Sequence, residues 1–240
     1  MQLYFIRHGQ SENNRLYDEL GRWDGRNPDP ELTELGYQQA QLLAEHLARV
    51  NLTSAARRPD YLNRRGFDLT HLYTSLMARA VATAVPVAEA LGLPLVAWED
   101  LHEVGGIFVD DENTGEPVGL PGKTRSDFAA RFPQLVLPAA LREDGWWNRP
   151  HETHEQQVMR AYRFVRDLIE RHGHTDNRVA VVSHGGFYNH VMAVLLDQHP
   201  NSGFWFNLNN TAITRLDFEE DGRALIYANH ADHLPLELIT

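Results

Sequence analysis

Residues 1–14 read Met1-Gln2-Leu3-Tyr4-Phe5-Ile6-Arg7-His8-Gly9-Gln10-Ser11-Glu12-Asn13-Asn14. Leu3 to Ile6 form an apolar run with no polar interruption, and it stops at a cation, an imidazole and a glycine. An unbroken run of this length suits a strand buried on both faces of a parallel sheet. In open α/β sheets, ligands bind just beyond the carboxyl ends of such strands. His8 falls there, with Arg7 beside it and Gly9 allowing close backbone approach. An isolated Arg-His-Gly tripeptide would read as a surface turn with a stray histidine. What decides between the two is whatever other strand ends bring to the same edge.

Working outward, Glu12 to Pro30 is polar, holds glycines and prolines, and reads as a loop. Thr33 offers an N-cap, and Ala40, Leu43, Leu47 and Val50 fall at helical spacing, predicting a helix over Thr33–Arg49. Asn51–Asp68, rich in arginine, reads as a loop, His71–Thr74 as a second strand, and Ser75–Leu91 as a helix closed by Gly92 and Pro94. Leu95–Trp98 is a third strand. From Glu103 to His151 periodicity fails, and the segment 104–150 is expected to be an insertion or lid over one end of the sheet. Thr153 and Gln156 form a capping box for a long amphipathic helix to about Arg171. Val179–Ser183 is the cleanest strand, and it runs into His184-Gly185-Gly186 and another helix. Ala212–Phe218 and Ala224–Asn229 are two closing strands around an Asp221-Gly222 turn. The alternation predicts a three-layer α/β/α sandwich with a mostly parallel sheet, in one domain spanning 1–240.

The 240 residues suffice for a full core. A net charge of −11 argues against nucleic acid or an anionic membrane as partner. The basic residues are almost all arginine, Lys123 being the sole lysine, so any anion site is built from bidentate forks. No cysteine is present, which excludes disulfides, thiol catalysis and thiolate metal sites. No apolar run approaches the ~20 residues of a membrane helix, and the opening run is too short for a signal peptide. A cytoplasmic location is the resulting expectation. An exposed edge strand near the C-terminus is compatible with a homodimer.

Three strand ends carry reactive residues: Arg7-His8-Gly9, Ser75 leading to Arg79 about one turn into its helix, and His184-Gly185-Gly186. In a parallel sheet these ends share an edge. Two arginines, two histidines and two helix N-termini together describe a site for a dianion, most simply a phosphoryl group. Neighbouring guanidinium groups depress the pKa of His8 and keep the imidazole a neutral nucleophile. Attack on phosphorus would give a phosphohistidine, with Arg7, Arg79 and His184 stabilising charge on the equatorial oxygens. No metal or other cofactor is required, since the guanidinium groups take the cation's role. The leaving alcohol needs a proton. Glu103 is the candidate donor, with apolar neighbours of the kind that raise a carboxyl pKa, although a surface carboxylate fits the same residues.

The chain resembles the histidine phosphatase superfamily, the group containing cofactor-dependent phosphoglycerate mutases and many small-molecule phosphatases. The resemblance is carried by Arg7-His8-Gly9 with Ser11 and Asn14, Leu32-Thr33-Glu34-Leu35-Gly36, Ser75, Arg79-Ala80 and Thr83-Ala84. Leu101-His102-Glu103, Ser183-His184-Gly185-Gly186 and Asn210-Thr211-Ala212-Ile213 continue it. It implies a phosphoglycerate mutase-like fold. It also implies His8 as the phosphorylated residue, Arg7 and Arg79 as phosphate-binding arginines, His184 as the second histidine, Glu103 as proton donor and Asn14 as a phosphoryl contact.

Asp24, where many phosphatases of the family have glutamine, would repel a second anionic group if it faces the pocket. The basic insertion typical of the mutases is not evident. Both points favour a phosphatase acting on a small phosphorylated metabolite over a mutase. A catalytically silent phosphate-binding scaffold is the competing hypothesis of another class, and it predicts the loss of a core residue. Phe108, Lys123, Arg125, Arg142, Trp146, Trp147 and Arg149 could form a lid over an aromatic or charged leaving group. Equally, the tryptophans could fill a satellite core with the arginines in solvent. His151 and His154 are three apart rather than the four of a zinc-protease helix, and His230 and His233 suit structural roles as well as a metal. Ser11 lacks the second glycine of a nucleophile elbow.

Overall fold

Alternation along the first strand accounts for the layering. In β1 (Gln2–Arg7), Leu3 and Phe5 join one hydrophobic core while Tyr4 and Ile6 join the other. In β7 (Arg178–Ser183), Val179 and Val181 face the first core, and Ala180 and Val182 the second. Each large apolar side chain buried this way contributes about 1.5–3 kcal/mol. Covering both faces therefore makes the strand sequence continuously apolar rather than alternating. The computed structural model describes residues 1–22, 25–50, 60–199 and 203–240.

Helices α2 (Glu34–Ala48) and α3 (Ala78–Leu91) cover the Tyr4/Ile6 face, and α5 (His154–His172) and α6 (Gly185–Leu195) the Leu3/Phe5 face. Between them β1 lies parallel to β7, β7 to β2 (His71–Thr74), and β2 to β3 (Leu95–Ala97). The short β6 (Leu135–Val136) extends the parallel set beyond β3. On the other side, β8 (Ile213–Glu219) and β9 (Gly222–His230) add antiparallel, giving the order β6-β3-β2-β7-β1-β8-β9. The mostly parallel three-layer sandwich expected from the sequence is the observed architecture. No described helix is long and apolar enough to cross a membrane.

Local readings hold where caps and periodicity agree. Thr33 caps α2 through Gly36 N–H, Thr153 and Gln156 form the capping box of α5, and α3 ends at left-handed Gly92. Four features differ from expectation. Glu12–Leu20, read as loop, is helix α1. None of its side chains is buried, so it carries no core-facing stripe, and it is started by a Ser11–Asn14 capping box instead. Helix α3 begins at Ala78, because the Ser75 hydroxyl accepts the Met77 N–H and holds Ser75–Met77 as a turn. Arg79 is thus in the first turn rather than one turn in. The closing hairpin turns at Glu220-Asp221, with Gly222 already paired to Glu219. The segment 104–150 is not a single irregular covering. It contains the hairpin β4 (Phe108–Asp110) and β5 (Pro117–Gly119) and helix α4 (Arg125–Arg131), then returns as β6 to the central sheet.

Trp146 and Trp147 are buried in the core that covers the α2/α3 face. Arg149 lies over the Trp147 ring and pairs with Glu99, Arg125 donates to the carbonyls of Pro138 and Leu141, and Lys123 pairs with Asp29. These side chains serve the fold itself. Of the lid candidates, only Phe108 reaches the cavity described below.

Candidate functional site

Strands β2, β7 and β1 are consecutive neighbours at the centre of the sheet, and their carboxyl ends are tied together: His8 N–H donates to Ser183 O (3.0 Å) and Ser75 N–H to Val182 O (3.1 Å). The turn after β1 packs on the start of α2. A Cβ on Gly36 would stand 2.1 Å from Gln10 O, and one on Gly9 2.6 Å from Gly36 O, so both positions require glycine. Thr83 of α3 accepts the Gly9 N–H, and Asn210 donates to His8 O (2.8 Å), fixing the His8 backbone from two further sides.

His8 is buried. Its Nδ1 lies 2.7 Å from Gly9 O, an acceptor, so Nδ1 carries the proton and Nε2 carries the lone pair. Arg79 Nε–H donates to that Nε2 at 3.1 Å. Burial first, then Arg79 and Arg7, hold the His8 pKa well below the usual 6.5, so the ring is neutral near pH 7. His184 is fully buried, with its ring 5.0 Å from that of His8. Ser75 Oγ, already accepting the Met77 N–H, sits 2.9 Å from His184 Nε2. With the hydroxyl as donor to Nε2, the imidazole proton falls on Nδ1. That atom is buried and has no hydrogen-bond partner among the described residues. Burial, then Arg79 and His8, lower the His184 pKa well below 6.5.

Arg7 donates to Leu208 O, and burial lowers its pKa from the ordinary guanidinium value, with Glu103 acting in the opposite sense. The Glu103 side chain does not stand in the apolar setting expected from its neighbours. Oε1 accepts Val104 N–H (2.8 Å) and Phe187 N–H (2.9 Å), and Oε2 accepts Gly186 N–H (3.2 Å). The carboxylate thus occupies the N-terminus of α6, where the helix dipole favours an anion. Asn14 Oδ1 is taken up by the capping box with Ser11 and lies 3.4 Å from Asn210 Nδ2.

Arg7, His8, Asn14, Arg79, Glu103 and Gly185 all line one cavity of about 870 Å³. The strand ends therefore bring these residues together, with the His184 ring 5.0 Å from that of His8. Sequence reasoning missed much of the mouth, to which Tyr17, Asp18, Arg26, Asp110 and Trp205 contribute. Arg26 lies 3.7 Å over the Phe108 ring and 3.7 Å from an Asp110 carboxylate oxygen. Tyr17 and Asp18 lie on α1, read as loop, and Trp205 on a stretch without periodicity, so neither carried a signal. Asp24 falls outside the described residues. Among the described residues no group of three or more His, Asp or Glu side chains is arranged to hold a metal ion.

The model of the histidine phosphatase superfamily (branch 1) matches residues 3–231. A Hydrogenobacter thermophilus protein with the provisional name phosphoserine phosphatase 2 is 29% identical over 238 residues, covering 97% of each chain. A Yersinia pestis protein provisionally named phosphoglycerate mutase GpmB is 23% identical over 225 residues, 92% of this chain and 86% of that one. Among solved structures, phosphoserine phosphatase from Entamoeba histolytica in complex with 3-phosphoglyceric acid superposes with a TM-score of 0.60 at 21% identity, covering 98% of this chain and 99% of that one.

Proposed function

The chain belongs to the histidine phosphatase superfamily, and on that premise we propose that it is a phosphomonoester hydrolase of a small phosphorylated metabolite, acting through a phosphohistidine on His8. The observation that carries this reading is the His8 Nε2 lone pair, held on a neutral ring and facing Arg79 in a cavity that Arg7 also lines. Nε2 attacks phosphorus, the P–O ester bond breaks, and Glu103, entering this step as the carboxylic acid, gives its proton to the departing oxygen. Water then attacks the phosphohistidine, Glu103 takes its proton, and the P–N bond breaks to release inorganic phosphate. The cationic ring of the intermediate keeps its Nδ1–H on Gly9 O. Arg7, Arg79, the Gly185 N–H at the start of α6 and the unpartnered His184 Nδ1–H supply charge and donors for the equatorial oxygens. Asn14 borders the same space and would contact the phosphoryl group through its amide nitrogen.

The β4–β5 hairpin within 104–150 acts as the cap, bringing Phe108 and Asp110 to the mouth within a single 1–240 domain. With Asp18 also lining the mouth, acidic groups there disfavour a second strongly anionic group on the substrate. The relatives' names place phosphoserine first in a substrate panel. The test is release of inorganic phosphate from such a panel, in excess chelator, by wild type and His8→Ala. Turnover by wild type and background rates for His8→Ala are expected. Unchanged activity in His8→Ala overturns the reading, chelator-sensitive turnover points to a metal site, and primer-dependent isomerisation of 3-phosphoglycerate without phosphate release makes the protein a mutase.

A further inference from the structure

Residues 100–103 bring Glu103 to the cavity, and three successive carbonyls of this segment accept hydrogen bonds from buried side chains. Arg160 Nη1 donates to Asp100 O (2.7 Å) and to His102 O (2.8 Å), and Ser183 Oγ donates to the intervening Leu101 O (2.7 Å). Arg160 comes from the middle of α5, only 1% exposed, the largest side chain among the fully buried. Its other face is held by Glu152, with Nε to Oε1 and Nη2 to Oε2 both at 2.7 Å. The guanidinium also stacks 4.1 Å above the ring of Phe187, the residue whose backbone N–H binds Glu103 Oε1. Glu152 itself tethers the far side of the segment, its N–H donating to Gly105 O (3.2 Å). His102, neutral and buried, closes the arrangement by placing Nδ1 2.8 Å from Glu103 O.

A charged pair taken fully out of water is a poor way to gain stability, because desolvation offsets most of the attraction. This pair spends its donors on one stretch of main chain, which does not itself contact the cavity except through Glu103. We propose that Arg160, fixed by Glu152, is the positioning residue for Glu103. Its fork sets the path of residues 100–103, so that the carboxylate stands at the N-terminus of α6 within reach of a leaving oxygen. The inference rests on the phosphatase reading above, in which Glu103 protonates that oxygen.

The test exploits leaving groups that differ in their need for a proton. 4-Nitrophenolate departs as a stable anion, whereas the alkoxide of an alkyl phosphate such as phosphoserine must be protonated as it leaves. kcat and kcat/KM are measured on both esters for wild type, Glu103→Gln, Arg160→Lys and the double variant Arg160→Met/Glu152→Leu. General-acid loss in Glu103→Gln lowers kcat/KM for the alkyl ester by about 10²–10⁴-fold and spares kcat/KM for the aryl ester. Its kcat falls on both esters, because they share the phosphohistidine whose hydrolysis Glu103 also assists. Arg160→Lys keeps a cation opposite Glu152 but cannot reach both carbonyls and both carboxylate oxygens. The expected result is a fall of about tenfold or more in its alkyl-to-aryl ratio of kcat/KM, with the double variant falling further. Should the double variant fail to fold, Arg160→Lys alone decides. Equal losses of kcat/KM on both esters, or an unchanged ratio, overturn the assignment. Wild-type protein that hydrolyses neither ester overturns the phosphatase reading as well.

Discussion

Gly186→Ala adds one methyl group and separates proton delivery from everything else at the site. A Cβ at 186 would lie 2.5 Å from Glu103 Oε1, 2.8 Å from Val104 Cγ2 and 3.1 Å from Glu103 Cδ. An ordinary contact begins near 3.4 Å, so the carboxylate must retreat by about 0.9 Å. It sits at the end of a flexible side chain and can do so without moving the backbone. The loss is one or two hydrogen bonds from the Gly186 and Phe187 N–H groups to a charged acceptor, about 1.5–3 kcal/mol each. Replacing glycine in a helix returns up to about 1 kcal/mol, so thermal stability should fall by about 0.5 kcal/mol or more. A misplacement of about 1 Å at the reacting centre is worth about 10²-fold in rate. Steady-state kinetics should therefore show about that loss in kcat/KM for an alkyl phosphate, with kcat/KM for 4-nitrophenyl phosphate little affected. Full activity on the alkyl ester, or the same loss on both, would refute the role given to Glu103.

Two further outcomes follow from the buried charges. Arg79→Met removes the donor to His8 Nε2 and one of the two cations that lower its pKa, so kcat/KM should fall by about 10²–10³-fold. With that cation gone the His8 pKa rises toward its ordinary value, and the acid limb of the pH–kcat/KM profile should move to higher pH; an unmoved limb contradicts the electrostatic account. Away from the cavity, His46 and His233 stack at 5.3 Å, and burial pushes their pKa values down to about 4 and about 3. Between these values and the unfolded value of about 6.5 the unfolded chain binds more protons. Stability present above pH 6.5 is therefore lost as pH falls toward 4, by up to about 1.4 kcal/mol per pH unit for each histidine. Denaturant unfolding of His233→Gln should show a shallower slope over this window, and an unaltered slope would count against it.

The sequence disclosed the sheet because β1 and β7 are apolar on both faces and end abruptly in Arg7-His8 and His184. The same abruptness located the site, since chemistry at strand ends needs no knowledge of the loops. Helix α1 stayed hidden because it buries no side chain, leaving only its Ser11–Asn14 cap as a signal. Short β6 was hidden for a related reason, having only two residues, one of them exposed. Glu103 was found by its place after the third strand. Its partners, the α6 N–H groups and the Arg160–Glu152 pair, come from distant sequence that no local pattern connects to it. The tryptophans of 104–150 illustrate the opposite case, in which a conspicuous aromatic pair belongs to the core.

The most direct test of the central claim is rapid quenching of the enzyme during turnover, followed by phosphorus NMR and mass spectrometry of the protein under alkaline conditions that preserve phosphohistidine. The tautomer set by Gly9 O and the contact to Arg79 predict one phosphoryl group per chain, on His8 Nε2, absent from His8→Ala. Phosphate on Nδ1, on another residue, or on no residue while substrate is being hydrolysed would contradict it.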